Sequence, residues 1–256
     1  MTYCLGIITK YGLIMAADSR TNAGVDYIST YQKLFNLSLP GERVILICTS
    51  GNLSVTQGML LMVQKDLRVP EDSNIHTLPT FYDIARYLGG KIRQIQEQDR
   101  SYLKQDGIEC KCTVLLGGQI KGQPPELYMI YSQGNCIHAS PQTPFMQIGE
   151  TKYGKPILDR ILSFDTPLDI AAKSALLSID STMKSNISVG PPIHLVMYEK
   201  DSFKIEYELK LDARSPYLLK IRRQWENSLK EAFDRVPDLE WNQTNQKIEI
   251  ENFPDP

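Results

Sequence analysis

Apolar runs of strand length come in hairpin-linked blocks, and pairs of helical segments separate the blocks. Residues 3–9 and 13–17 are almost wholly apolar and flank the turn Lys10-Tyr11-Gly12. That predicts a hairpin at the very start of the chain. A looser strand region follows at 27–37, and after the turn Leu39-Pro40-Gly41-Glu42 comes a buried strand at 43–49. The apolar period then changes. Ser50-Gly51-Asn52 opens a helix with Leu53, Met59, Leu60 and Val63 on much of one face, closed by Val69-Pro70. Thr80 caps a second helix, marked by Phe81, Ile84, Leu88, Ile92 and Ile95. Its Gly89-Gly90 pair lowers helix stability and predicts a close contact with another element.

The pattern then repeats. Strands are expected at 109–116, ending at Gly117-Gly118, and at 126–131, 136–139 and 145–148. Two helices follow at 154–162 and 167–183, then strands at 193–198 and 203–209. A last helix at 216–236 carries Leu218, Ile221, Trp225, Leu229 and Ala232 on one side. A core-packing role for it is expected first, and an intersubunit contact second. Antiparallel sheets covered by helix pairs satisfy all these apolar faces. Strict βαβ alternation is absent, which disfavours a doubly wound nucleotide fold. With no linker or repeat in view, the expectation is one domain over residues 1–236. A polar, acidic tail occupies 237–256, with prolines at Pro254 and Pro256.

Charge and cysteine content exclude several function classes. Lys and Arg number 28 against 30 Asp and Glu, so no strong positive field attracts nucleic acid or anionic lipid. The apolar runs are too short to span a bilayer, and no secretory signal opens the chain. Cys4, Cys48, Cys110, Cys112 and Cys136 are an odd set in apolar stretches, read as reduced core thiols of a cytoplasmic protein. His76, His138 and His194 are scattered and complete no zinc set, so no metal or organic cofactor is expected.

The usual hydrolase and phosphate-binding motifs are missing, and attention falls on the first residues. Met1 precedes Thr2, a small residue that favours methionine removal. A leading threonine carries a hydroxyl nucleophile and an α-amine base together. An unperturbed α-amine titrates at about 7.7–8.0, so much of it is neutral near pH 7. If Met1 stays, the amine is acylated and cannot act as base.

Residues further along give Thr2 its meaning. Thr2-Tyr3-Cys4-Leu5-Gly6-Ile7, Ile14-Met15-Ala16-Ala17-Asp18-Ser19-Arg20, Lys33-Leu34-Phe35 and Thr49-Ser50-Gly51 together resemble the proteasome β-subunit pattern. Gly134-Asn135-Cys136-Ile137, the stretch from Ile148-Gly149-Glu150 through Asp159-Arg160, and Ser188-Val189-Gly190-Pro191-Pro192 resemble the bacterial proteasome-like Anbu proteins. The resemblance runs to about residue 210.

It implies an α+β fold, a four-layer αββα sandwich of the N-terminal nucleophile (Ntn) hydrolase type. It implies a threonine endopeptidase acting on peptides or unfolded protein through an acyl-enzyme ester. Thr2 is the implied nucleophile and base, Lys33 the cation that depresses its pKa values, and Asp18 the group holding Lys33. Gly51, placed at the first helix start, offers its N–H to the oxyanion, and Ser188 supports the amine. Thr21, Thr49 and Leu53 match the substrate-pocket positions and imply a small, partly polar pocket. Two positions depart from the family pattern: Ser185 stands where an Asp is usual, and Glu150 where a Ser is usual. Homo-oligomeric assembly is implied as well. The alternatives are a non-catalytic assembly subunit and an amidase for a non-peptide amide.

Overall fold

The computed structural model describes residues 2–22, 28–69 and 73–239. Met1 and the expected tail beyond residue 239 lie outside the described residues. So do Tyr27, the first residue of the 27–37 strand region, and the helix-closing Pro70.

The chain begins with β1 (Tyr3–Thr9) and β2 (Gly12–Ala17), the expected hairpin. Two short strands, β3 (Arg20–Asn22) and β4 (Ile28–Thr30), pair with each other. Then come β5 (Leu34–Asn36), β6 (Arg43–Gly51) and the helices α1 (Leu53–Asp66) and α2 (Phe81–Gln105). A second strand block holds β7 (Cys112–Ile120), β8 (Glu126–Ile130), β9 (Cys136–His138) and β10 (Phe145–Gly149). Helices α3 (Lys155–Ile161) and α4 (Leu168–Ser185), strands β11 (Ile193–Glu199) and β12 (Tyr207–Leu211), and helix α5 (Pro216–Phe233) complete it.

The strands form two five-stranded antiparallel sheets, ordered β10-β1-β2-β11-β12 and β5-β6-β7-β8-β9. Period-two alternation explains how they stack. In β6, Val44, Leu46 and Cys48 join the core between the sheets, while Ile45 and Ile47 face α1 and α2. In β1, Cys4 and Ile8 face the other sheet, while Leu5 and Ile7 pack on α3, α4 and α5 residues such as Leu158, Ile179 and Leu218. Each central strand is buried on both faces, so its sequence is a continuous apolar run rather than an alternating one. Three apolar layers between four layers of elements make the αββα sandwich.

Capping follows local chemistry. The Asn52 side chain accepts from Ser54 and Val55 N–H at 3.0 and 3.3 Å and starts α1. Thr80 Oγ1 accepts from Asp83 N–H at 3.1 Å and starts α2, a cap worth about 1 kcal/mol. The Gly89 contact is with a turn: a Cβ there would stand 2.1 Å from Gly134 O in the β8–β9 connection. Gly117 and Gly118 lie within β7 instead of ending it, because the strand continues past them in register with β6. The strand expected at 203–209 is displaced to Tyr207–Leu211 by a turn in which Asp201 and Phe203 have positive φ. Core packing reaches only the start of α5: Leu218 and Ile221 are buried, Trp225 is half-buried, and Leu229 and Ala232 are exposed.

Candidate active site

Hairpin register sets the first contact. Cys4 pairs with Ala17, so Tyr3 comes opposite Asp18, the residue after β2. Asp18 N–H donates to Tyr3 O at 3.1 Å, and Tyr3 N–H donates to Asp18 Oδ1 at 3.0 Å. Lys33 arrives from the facing sheet. It precedes β5, where its carbonyl accepts Thr49 N–H at 3.0 Å, and its Nζ meets the same Asp18 Oδ1 at 2.6 Å. Asp18 Oδ2 accepts from Gly190 and Arg20 N–H at 3.0 and 3.2 Å. Asp18 is fully buried and Lys33 is 4% exposed.

Burial pushes the Asp18 carboxyl above the usual carboxylate range, and the Lys33 charge and the backbone donors oppose that rise. Four donors on two oxygens leave no acceptor for a carboxyl proton, so the group is the anion at neutral pH. Lys33 Nζ also donates to Arg20 O at 2.6 Å. The ammonium is thus fixed beside the Tyr3 amide, one residue from Thr2.

Thr2 is held by its backbone. Glu150 N–H donates to Thr2 O at 2.7 Å. The preceding Gly149 has φ +87°, and a Cβ on it would lie 1.9 Å from Thr2 O. Only glycine lets the β10 end close on Thr2 this tightly. Glu150, one of the two departures from the family pattern, also accepts from Asn186 Nδ2 at 3.1 Å on Oε2. Asn186 Oδ1 in turn accepts Ser188 N–H at 2.9 Å. Ser188 is half-buried in the α4–β11 loop and is tied to Thr2 through this relay. Asn186 escaped the sequence reading because it belongs to no motif. Ser185, the other departure, is exposed at the end of α4.

Gly51 is the last residue of β6, not the first of a helix, and Asn52 caps α1. Its availability comes from ladder alternation instead. Asn52 N–H donates to Lys111 O at 2.8 Å across β7, while Thr49 N–H donates to Lys33 O on the opposite side. Antiparallel pairs alternate between bonded and non-bonded. Even-numbered residues of β6 therefore serve β7, and the Gly51 N–H points to the β5 side. The chain there has turned away, since Tyr31 N–H goes to Ser19 O. Gly51 has φ +98°, and a Cβ would come 2.4 Å from Lys111 O.

Thr2, Thr21, Gly51 and Gly149 line a cleft of about 670 Å³. Thr21 Oγ1 is buried and has no hydrogen-bond partner among the described residues. Thr49 and Leu53 do not line this cleft: Thr49 is buried within β6, and Leu53 is half-buried on α1. The opposite wall comes from Lys111, Cys112, Thr113, Tyr131, Ser132 and Gln133, brought there by the β6–β7–β8 ladder. Burial pushes the Cys112 thiol up to about 12. Among the described residues the cysteines form no disulfide, no cluster of His, Cys, Asp or Glu has the form of a metal site, and no helix is long and apolar enough to cross a membrane.

A family model described as proteasome subunit matches residues 2–197. The chain belongs to the proteasome subunit family. Within it, the chain is similar to solved Anbu structures over nearly its full length. Anbu (ancestral beta-subunit) from Yersinia bercovieri is 43% identical, with 93% of this chain and 98% of that one covered and a TM-score of 0.88. The helical assembly of the Anbu complex from Pseudomonas aeruginosa is 42% identical, covering 94% and 99%, with a TM-score of 0.90. Anbu from Hyphomicrobium sp. strain MC1 is 41% identical, covering 93% and 99%, with a TM-score of 0.86. No curated protein matches the chain. In this proteasome-family sandwich, both sheets contribute to the cleft.

Proposed function

We propose that this proteasome-family chain is a threonine peptidase whose nucleophile is Thr2, freed by removal of Met1. The observation that carries the reading is the single buried oxygen, Asp18 Oδ1, shared by the Tyr3 amide and the Lys33 ammonium beside the cleft that Thr2 lines. A fixed cation there favours the neutral amine and the alkoxide-like hydroxyl that nucleophilic attack needs. Thr2 Oγ attacks the scissile carbonyl and its proton passes to the α-amine. The tetrahedral oxygen takes a hydrogen bond from Gly51 N–H. Collapse breaks the C–N bond, the amine proton goes to the leaving nitrogen, and an ester to Thr2 remains. Water, deprotonated by the same amine, hydrolyses it.

The substrate adds as a strand. Among the described residues the Gly51 N–H has no strand partner, and Thr21 lines the same cleft, which suits an extended peptide added at that edge. Asp18, Lys33 and Ser188 act from beneath the cleft as positioning residues, with Asn186 and Glu150 linking Ser188 to the Thr2 carbonyl.

Homo-oligomeric assembly is proposed with it. A relative from Pseudomonas aeruginosa forms a helical assembly. Here the outer half of α5 and the residues after it expose Leu229, Phe233, Val236 and Leu239. A non-catalytic assembly subunit is the competing reading, and one pair of measurements separates the two. Mass spectrometry is expected to find Thr2 as the first residue, and a Thr-directed electrophile to label it. Thr2→Ala should abolish both labelling and peptide turnover. Turnover that survives Thr2→Ala, or a retained Met1 in the active protein, overturns the proposal.

A further inference from the structure

The Thr2 cleft continues into a second hollow. Lys111, Ser132 and Gln133 line both the cleft and an adjoining cavity of about 360 Å³. The far wall of that cavity is the last turns of α2, with Gln96, Arg100 and Lys104. A third hollow of about 560 Å³ follows the same helix face past Arg93, Arg100 and Lys104.

This arm of the channel is cationic. Arg93, Arg100 and Lys104 fall at i, i+7 and i+11 and so share one helix face. None of the three has an ion-pair partner among the described residues. Two acids also line the hollows. Glu109 is matched to Lys111 at 3.1 Å, and Glu97 stands on the helix between Arg93 and Arg100. Positive charge remains in excess.

Arg100 is anchored through one guanidinium nitrogen. Gln96 is 2% exposed, and its Nε2 donates to Cys110 O at 2.9 Å and to Ser132 Oγ at 2.7 Å. The side chain therefore ties α2 to the entry of β7 and to the β8–β9 turn. Its Oε1 accepts from Arg100 Nη2 at 3.3 Å. The other guanidinium donors of Arg100 make no hydrogen bond among the described residues, and a guanidinium offers paired donors that match a carboxylate.

We infer that this arm is a subsite for acidic side chains of the peptide, with Arg100 and Lys104 as specificity-determining residues. The inference rests on the proposed reading of the cleft as a peptide groove and names the class of peptide. Helix rise separates Arg100 from Lys104 by about 6 Å along α2. Alternate residues of an extended strand are about 6.6 Å apart and share a face. An acid-x-acid sequence thus places one carboxylate against each cation.

The test uses the full chain carrying Thr2→Ala and three rhodamine-labelled, C-terminally amidated decapeptides: acid-x-acid, its Gln-x-Gln isostere and a Lys-x-Lys version. Amidation removes the terminal carboxylate as a source of charge. Anisotropy titrations at low salt should show the acidic peptide binding roughly tenfold more tightly than the neutral one. Half-molar salt should narrow that gap, because screening then acts within a few ångströms. Arg100→Gln/Lys104→Gln should abolish the preference, and Arg100→Glu/Lys104→Glu should shift it to the Lys-x-Lys peptide. Circular dichroism of each variant verifies the fold. Equal binding of all three peptides, no binding of any, or a preference unmoved by both variants overturns the subsite. Failure of the peptidase reading alone looks different: the native chain cleaves no peptide while the acidic preference persists.

Discussion

Replacing Lys33 with Met probes the centre of the site, and the fold dictates how the effect varies with pH. The pair is almost dry, with side-chain exposures of 5% for Lys33 and 0% for Asp18. In Lys33→Met the Asp18 anion keeps its backbone donors but loses its cation. Burial already outweighs the opposing influences on this carboxyl in the native chain. Without the ammonium, its pKa rises further. A carboxyl that titrates higher in the folded chain than in the unfolded one takes up a proton on folding, so stability falls as pH rises between the two values. The Lys33→Met defect is therefore smaller at the acidic end of the range and grows toward pH 8. There it reaches about 3–5 kcal/mol, the usual consequence of leaving one buried charge unpaired. That is a large share of a total stability of about 5–15 kcal/mol.

Urea unfolding followed by circular dichroism at each pH measures the defect, at one protomer concentration because association shifts apparent stability. A second variant guards the interpretation. Asp18→Asn/Lys33→Met contains no charge to strand, so it should be more stable than Lys33→Met at pH 8 and nearly indifferent to pH. A Lys33→Met defect of constant size across the range, or a double variant no better than the single one at pH 8, refutes the reasoning.

Two further outcomes follow from geometry and burial. Cys112 is on the cleft wall, but its side chain packs in the core under α1 and α2, and with its thiol pushed up to about 12, only about one in ten thousand is thiolate at pH 8; iodoacetamide with peptide mass mapping should leave it unmodified in the native protein, and rapid alkylation would show that water reaches this thiol freely. Gly149→Ala must move Thr2 or itself, because the new Cβ falls 1.9 Å from Thr2 O; electrophile labelling of Thr2 should drop at least tenfold with stability reduced by about 1–3 kcal/mol, and full labelling would show that this contact does not set the Thr2 position.

Much of the layer order was legible because each central strand is buried on both sides and the helices on one. Those patterns survive as runs and periods in a single sequence, as in Leu13–Ala17 or in Ile84, Leu88 and Ile92. The Asp18 neighbourhood was legible through a resemblance and through hairpin register, which places residue 18 opposite residue 3 once the turn is known. Gly51 was misplaced because strand end and helix start follow each other within one residue, and only the cap geometry of Asn52 separates them. The far wall of the cleft was not legible at all. Cys112 N–H bonds to Ser132 Oγ at 3.3 Å, a meeting of residues distant in the chain that only sheet pairing brings about. The exposed half of α5 has the same amphipathic spacing as its buried half, so periodicity alone does not tell where the core stops.

Thr2 is gripped through main-chain atoms on both sides: its carbonyl by Glu150 N–H, and the next amide by Asp18. Nothing in that grip depends on what position 2 bears on its Cβ. A serine or cysteine there would sit in the same socket with a different group on its Cβ. The socket and the tool it holds can therefore diverge separately during evolution.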